Sequence, residues 1–207
     1  MKVLMLSPWL PFPTNWGFAK RVFHLLEMLA RHHDVTLLSY SEGHDAESVR
    51  VLEQLCTVRT VRAPAFPLGK RLSQLRSLAS PTSFQRRTIR TPQMQQALDD
   101  LANGPPFDII HVATSQLAGF RFDPRSVLVL DEHNIEYELY YRTYQLERSP
   151  LRRLFSWLEY GKFKREEIAS WRAASGCVMT SRREAELVRR VVPGALVDVV
   201  PNAVDTE

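Results

Sequence analysis

The sequence predicts a doubly wound α/β fold, Rossmann-like, with a mostly parallel sheet and helices on both faces. Three observations predict it. Short apolar runs of strand length alternate with segments of helical spacing along the whole chain. The 207 residues suffice for one domain with a real core and are awkward for two. The composition, 44% hydrophobic and 24% charged, is that of a globular chain rather than a disordered one.

Each element has a local reason. Lys2 to Ser7 is an apolar run closed by prolines, a first strand. After the loop from Pro8 to Gly17, Ala19, Val22, Phe23, Leu26, Leu29 and Ala30 recur at helical spacing. Asp34 to Tyr40 is a second strand, and two strands joined by a helix are normally parallel. Val49, Leu52 and Cys56 mark a short helix, Thr57 to Val61 a strand, and Leu68 to Leu78 a basic amphipathic segment. Thr91-Pro92 caps a helix with Met94, Ala97, Leu98 and Leu101 on its apolar face, ended by Asn103-Gly104. Phe107 to Ala113 and Ser126 to Asp131 are strands. Helical stretches run from about Ile135 to Arg148 and from Leu151 to Ala174, then a strand from Gly176 to Thr180. Ser181 and Glu184 form a capping box for a helix carrying Ala185, Val188 and Val192, and Leu196 to Val200 is the last strand.

No apolar run approaches the length that spans a bilayer. The N-terminal run stops at Ser7-Pro8, too early for the core of a signal peptide. Cys56 and Cys177 lie far apart, which suits a reducing compartment and carries no metal signature. The net charge is +4, and the excess is uneven: Gln54 to Leu98 holds no Asp or Glu but contains Arg59, Arg62, Lys70, Arg71, Arg76, Arg86, Arg87 and Arg90. A solvated basic face, an anionic membrane surface, an acidic ligand and nucleic acid all fit such a stretch. No nucleic-acid-binding motif supports the last.

In a doubly wound sheet, ligands bind outside the carboxyl ends of the strands. Gly17 follows the first strand at a helix N-terminus, where an anion can approach free N–H groups and the helix dipole, with Arg21 one turn on. The GxGxxG and P-loop patterns are absent, against a dinucleotide or NTPase site. His111 sits at the end of the fourth strand. After the fifth comes Asp131-Glu132-His133-Asn134-Ile135-Glu136, five polar or ionisable groups in six positions and costly to bury without a use. A carboxylate beside a histidine fixes its tautomer. Asn134 also suits a helix cap. Tyr137, Tyr140, Tyr141 and Tyr144 share one helical face, a stripe expected to pack.

Four segments in order resemble the N-terminal half of a GT-B glycosyltransferase of glycosyltransferase family 4. Ser7-Pro8, with Pro11, Pro13 and Asn15-Trp16-Gly17-(x3)-Arg21, is similar to the family's proline-rich loop and Asn-Gly-Gly-x-x-x-Arg. Phe107-Asp108-Ile109-Ile110-His111-Val112 resembles its Asp-Val-Val-His-Val strand. Asp131 to Tyr137 resembles the motif that follows a strand in one subgroup, and Pro201-Asn202-Ala203-Val204-Asp205 resembles Pro-Asn-Gly-Val-Asp. Trp16 stands where a glycine is usual, which narrows the phosphate approach or shapes the acceptor side. Ala203 replaces a glycine.

The resemblance implies two facing Rossmann-like domains with the reaction between them. Residues 1–200 would form the acceptor-side domain and 201–207 the start of the hinge, with the donor-binding domain and its Glu-(x7)-Glu outside this sequence. It implies transfer with retention from a nucleotide sugar, as co-substrate, to a sugar or lipid-linked acceptor, with no metal and no other cofactor. Gly17 and Arg21 would meet the donor phosphates, His133 would act at the donor sugar, and Asn15, Trp16, His111 and Glu136 would line the acceptor side. Residues 68–90 would touch an anionic membrane surface, from a cytoplasmic location at its inner face. This chain alone would be inactive. A stand-alone Rossmann-like ligand-binding or regulatory module is the alternative, and an NAD-dependent oxidoreductase lacks its glycine fingerprint.

Overall fold

The computed structural model describes residues 1–64 and 70–202, without the side chains of residues 70–72. The sheet has seven strands, β1 (Lys2–Ser7), β2 (Asp34–Ser41), β3 (Thr57–Arg62), β4 (Ile109–Val112), β5 (Val127–Glu132), β6 (Gly176–Met179) and β7 (Val197–Val199). Their order is β3-β2-β1-β4-β5-β6-β7, and every neighbouring pair is parallel. The helices are α1 (Gly17–Ala30), α2 (Ala46–Glu53), α3 (Lys70–Leu78), α4 (Phe84–Ile89), α5 (Pro92–Ala102), α6 (Glu136–Leu146), α7 (Pro150–Ala173) and α8 (Arg182–Val191). The doubly wound α/β expectation holds.

Two apolar layers sandwich the sheet, because adjacent strand residues point to opposite faces. Val3 and Met5 of β1 and Val35 and Leu37 of β2 bury one face against Val22 and Leu26 of α1 and Leu52 of α2. Leu4, Leu6 and Leu38 bury the other with Met94 and Leu98 of α5, Phe163 and Trp171 of α7, and Ala185 and Val188 of α8. Handedness explains the division. The chain steps one way from β1 to β3 and the other way from β4 to β7, so right-handed crossovers place the two helix sets on opposite faces. The direction changes between β1 and β4, which opens a crevice at their carboxyl ends.

Helix α4 has no apolar periodicity and was not expected. It is held by its N-terminus: the Ser83 hydroxyl accepts from Arg86 N, and two buried carboxylates of α7 bind the same turn. Glu166 accepts from Ser83 N at 2.8 Å and from its hydroxyl at 2.5 Å, and Glu159 accepts from Phe84 N at 2.5 Å. Buried carboxylates are tolerated only when so satisfied, and a helix N-terminus supplies donors and a favourable dipole. A third α7 carboxylate, Glu167, accepts from Glu136 N at 2.9 Å and Tyr137 N at 3.0 Å and caps α6. The cap expected from Asn134 is therefore provided by another helix, and Ile135 occupies the N-cap position.

Thr91 caps α5 through Met94 N and Ser181 caps α8 through Glu184 N, as expected. The reciprocal arm of the box is not made, since Glu184 turns its carboxylate to the Thr180 and Ser181 hydroxyls. Part of the tyrosine stripe packs as expected: Tyr137 meets Tyr160 and Trp171, and Tyr140 stacks on Phe163, whereas Tyr141 is exposed. Cys56 lies just beyond α2 rather than within it, and both cysteines are free. Burial pushes their thiols up, to about 11 for Cys56 and about 12 for Cys177.

The basic stretch is less uniform than its sequence. Arg86, expected on a basic surface without acidic neighbours, turns inward; its Nη2 donates to Ser115 O and the Ser170 hydroxyl, and its Nε lies 3.7 Å from Glu166. The carboxylates that balance it come from α7, some eighty residues later. Leu75, Arg76, Leu78, Arg87 and Arg90 are exposed, whereas Leu68 and the side chains of Lys70, Arg71 and Leu72 lie outside the described residues. Among the described residues, no helix is long and apolar enough to cross a membrane.

Candidate active site

The crevice at the β1–β4 switch is built around Asp131, the first polar residue at the carboxyl end of β5. Its side chain has no exposed surface and takes a bidentate pair from Arg21 of α1, with Nη2 at 2.7 Å and Nε at 3.2 Å. The remaining Arg21 nitrogen, Nη1, donates to Val200 O at 2.7 Å and Asn202 Oδ1 at 3.1 Å. One guanidinium therefore ties α1, β5 and the segment after β7 together. A planar fork matched to a carboxylate is the arrangement that offsets the desolvation of both charges.

Two histidines face the same carboxylate oxygen. His111 Nε2 lies 3.9 Å from Asp131 Oδ2 and His133 Nε2 lies 3.6 Å from it, both too far for a hydrogen bond. His111 Nδ1 and His133 Nε2 are buried without a hydrogen-bond partner. Burial lowers both histidines, against the pull of Asp131 and aided by the Arg21 charge, and His133 falls to about 4. Both imidazoles are neutral at pH 7, so each can accept or donate a hydrogen bond to an uncharged group.

This shift has a sign in stability. The unfolded His133 takes up a proton near pH 6.5, but the folded one resists it until about pH 4. The contribution is complete above pH 6.5 and is lost as pH falls towards 4. Denaturant melts at both pH values should show the chain losing about 3 kcal/mol more than His133→Ala over that range. Taking the difference removes the buried carboxyls, Glu167 among them, which act with opposite sign. Equal losses in the two proteins would refute the effect.

A pocket of about 310 Å³ opens beside His133. Trp16, Gly17, Phe18, Glu132, Glu136 and Asn202 are among its walls. The His133 ring stacks on Phe18 at 4.5 Å, Phe18 stacks on Trp16 at 5.2 Å, and Trp9 meets both aromatic rings edge-on. Gly17 is the first residue of α1, whose first turn has no side-chain cap and no acidic residue. A β-carbon on Gly17 would meet nothing within 4 Å, so the helix N-terminus faces open space. Burial raises the Glu136 carboxyl. Burial and the neighbouring Glu167 push Glu132 well above the carboxylate range, despite donors from Trp171 Nε1 at 3.1 Å and Ser115 N at 3.3 Å. Burial likewise raises Glu167, to about 8.

Trp16, Gly17, His133 and Glu136 thus meet in one pocket. Asn15 is exposed and does not line it, while Arg21 and His111 contribute through Asp131. Phe18 and Trp9 were not singled out in the sequence, and Asp131 was read only as one member of the polar run after β5. Asp131 carried a signal, being the first charge at the end of an apolar strand, but its partner lies 110 residues away. Among the described residues there is no group of three or more His, Cys, Asp or Glu able to hold a metal ion.

The model of the family named Glycosyltransferase Family 4 matches residues 17–207. The chain belongs to glycosyltransferase family 4. The uncapped α1 terminus, the Arg21–Asp131 pair and the two histidines all fall within the part that matches. No curated protein matches the sequence closely enough to count as a relative. Solved structures share the fold at low identity. UGT89C1 of Arabidopsis thaliana complexed with UDP-L-rhamnose is 14% identical with a TM-score of 0.53, over 100% of this chain and 50% of that one. The glycotransferase of kitacinnamycin is 13% identical with a TM-score of 0.51, over 100% and 52%. The N-terminal domain of Candida albicans trehalose-6-phosphate phosphatase is 12% identical with a TM-score of 0.52, over 99% and 49%. This family 4 chain spans about half the length of those structures, and its fold is that of one half of a GT-B glycosyltransferase.

Proposed function

We propose that this chain is the acceptor-side half of a retaining glycosyltransferase that uses a nucleotide sugar. One observation carries the reading: in a family 4 half domain, His133 and the open N-terminus of α1 border a single pocket at the sheet's switch point. UDP-L-rhamnose in a structure of the same fold supports a nucleotide sugar as the donor class. In the transfer, an acceptor hydroxyl oxygen forms the bond to the anomeric carbon as the bond to the diphosphate oxygen breaks, and the hydroxyl proton passes to the departing diphosphate. The leaving diphosphate gains charge, and preorganised N–H groups at Gly17 and Phe18 lower the barrier where that charge develops. Neutral His133, with Nε2 unpaired, holds a hydroxyl of the donor sugar. Trp16 and Glu136 shape the acceptor side, with Asn15 at its rim. His111 lies behind His133, against Asp131. Arg21 acts through Asp131 rather than on the phosphates, because its guanidinium is already engaged on every nitrogen. No metal is needed for these steps. An anionic leaflet would meet the exposed Leu75, Arg76, Leu78, Arg87 and Arg90, bringing a lipid-linked acceptor within reach.

The test uses the protein joined to a donor-binding half, assayed for nucleotide release from a panel of sugar nucleotides. His133→Ala is expected to lower kcat at least tenfold, about 1.4 kcal/mol of transition-state stabilisation, with the fold intact by circular dichroism. Full activity in the variant would remove His133 from the reaction, and no turnover with any sugar nucleotide would remove the function.

A further inference from the structure

Helices α6 and α7 run antiparallel, because the start of α6 meets the second half of α7. Glu167 caps α6, and Tyr137 lies against Tyr160 and Trp171. α6 begins just beyond the carboxyl end of β5, and α7 ends just before β6. The two helices therefore stand off the carboxyl edge of the sheet as an arm. At about 1.5 Å per residue, the α7 segment from Pro150 to Glu167 is about 25 Å long. Its lower part rests on α3 and α4, where Lys162 donates to Ser77 O and Glu159 accepts from Phe84 N.

The outer part of the arm has no core. From Glu138 to Leu158 no residue is buried, yet the segment is rich in large apolar side chains. Leu146 and Leu151, on either side of the turn, are 80% and 81% exposed, and Leu154 and Trp157 are 54% and 51% exposed. Apolar surface gathered in this way marks a contact with something else. The charge says with what. Between Leu139 and Leu158 stand Arg142, Arg148, Arg152 and Arg153 against one acid, Glu147. All four arginines are exposed, and Glu147 accepts from Ser149 N at 3.0 Å. Arg153 also lies over the Tyr144 ring at 5.0 Å, which ties the two helices together near the turn. A second copy would set like charge against like charge. The leucines come from both sides of a turn instead of one helical stripe, which suits a deformable medium better than a preformed groove.

We propose that this tip enters the headgroup layer of an anionic bilayer leaflet. Leu146, Leu151 and Leu154 reach the acyl boundary, Trp157 sits at headgroup level, and Arg148, Arg152 and Arg153 meet lipid phosphates. The tip stands farther from the sheet than α3 and α4, so the hairpin, and not their basic surface, makes the contact that holds the chain to the leaflet. Nothing in this depends on sugar transfer.

The experiment is co-sedimentation of the 207-residue chain with vesicles of phosphatidylcholine, alone or with one third phosphatidylglycerol. Binding to the anionic vesicles is expected to be at least about tenfold tighter than to the neutral ones and to weaken with salt. The pairs Leu151→Ser with Leu154→Ser, and Arg148→Glu with Arg152→Glu, should each weaken it about tenfold or more. Arg76→Glu with Arg87→Glu, on α3 and α4, should change it by less than about threefold. Lipids brominated on their acyl chains should quench tryptophan emission in the chain but not in Trp157→Phe, which separates insertion from adsorption. Circular dichroism verifies the fold of each variant, whose changed side chains are all exposed. Equal binding to both vesicles, full binding by the leucine pair, or no quenching of Trp157 would each overturn the proposal. So would binding lost only in the Arg76 and Arg87 pair, which would move the contact to α3 and α4. Dimers of the chain that the leucine pair abolishes, with no vesicle binding, would overturn it in favour of a second copy. Vesicle binding without sugar transfer by the joined protein would keep the hairpin and discard the enzyme reading.

Discussion

Arg21→Met is expected to cost this chain about 3–5 kcal/mol of stability, because it leaves Asp131 as a buried carboxylate without its counter-charge. The Asp131 side chain is fully buried, and neither histidine is within hydrogen-bonding distance to replace the two donors it loses. The loss is larger than for a surface pair, where solvent screens the charges and about 0–1 kcal/mol is usual. A second readout separates this electrostatic role from simple packing. The Arg21 charge helps keep His133 neutral and Asp131 opposes it, so removing the arginine should move the His133 titration upward from about 4. Adding Asp131→Leu should return part of the stability, since an apolar pair costs less than an unpaired charge. Urea melts and histidine NMR titrations of the single and double variants measure both effects. A loss below about 1 kcal/mol in Arg21→Met, with His133 unmoved, would show that the pair is dispensable.

The second large effect concerns the chain by itself. Purified without a donor-binding half, it is expected to release nucleotide from no sugar nucleotide faster than buffer does. Holding two reactants in register is worth about 7–11 kcal/mol of barrier, and one wall of a two-walled cleft cannot provide it. The same assay on the joined protein, at a typical enzymatic rate of about 1–1,000 per second, is the positive control. Turnover at that rate by the 207-residue chain would mean that all the groups for transfer lie within it.

Much of this architecture is written locally. β1 and β2 declare themselves by apolar runs ended by prolines or polar residues, and α5 and α8 by capping side chains next to an apolar periodicity. What depends on distant partners is not legible. The Phe84–Ile89 segment reads as a polar, basic loop, and only the Glu159 and Glu166 carboxylates of α7 explain why it is a helix. Glu166 also explains why a stretch without a single acid is not uniformly a surface, since Arg86 turns inward against it. Asn134 has the right residue type and position for a cap, yet Glu167 supplies it with two oxygens instead of one. At the site, the strand-end rule located His133 and Glu136, while the Arg21–Asp131 pair needed the fold to bring α1 against β5.

The guanidinium of Arg21 has a consequence for the order in which the molecule is completed during synthesis. Its carrier helix emerges early, yet its partners are Asp131 and, at the far end, Val200 and Asn202. The helix can pack on β1 and β2 as soon as those strands exist, but the arginine beneath it stays uncompensated until residue 131 is made. It stays short of its last acceptors until residue 202 has left the ribosome. The charged centre of the pocket is therefore closed last, by the same few residues on which the sheet ends.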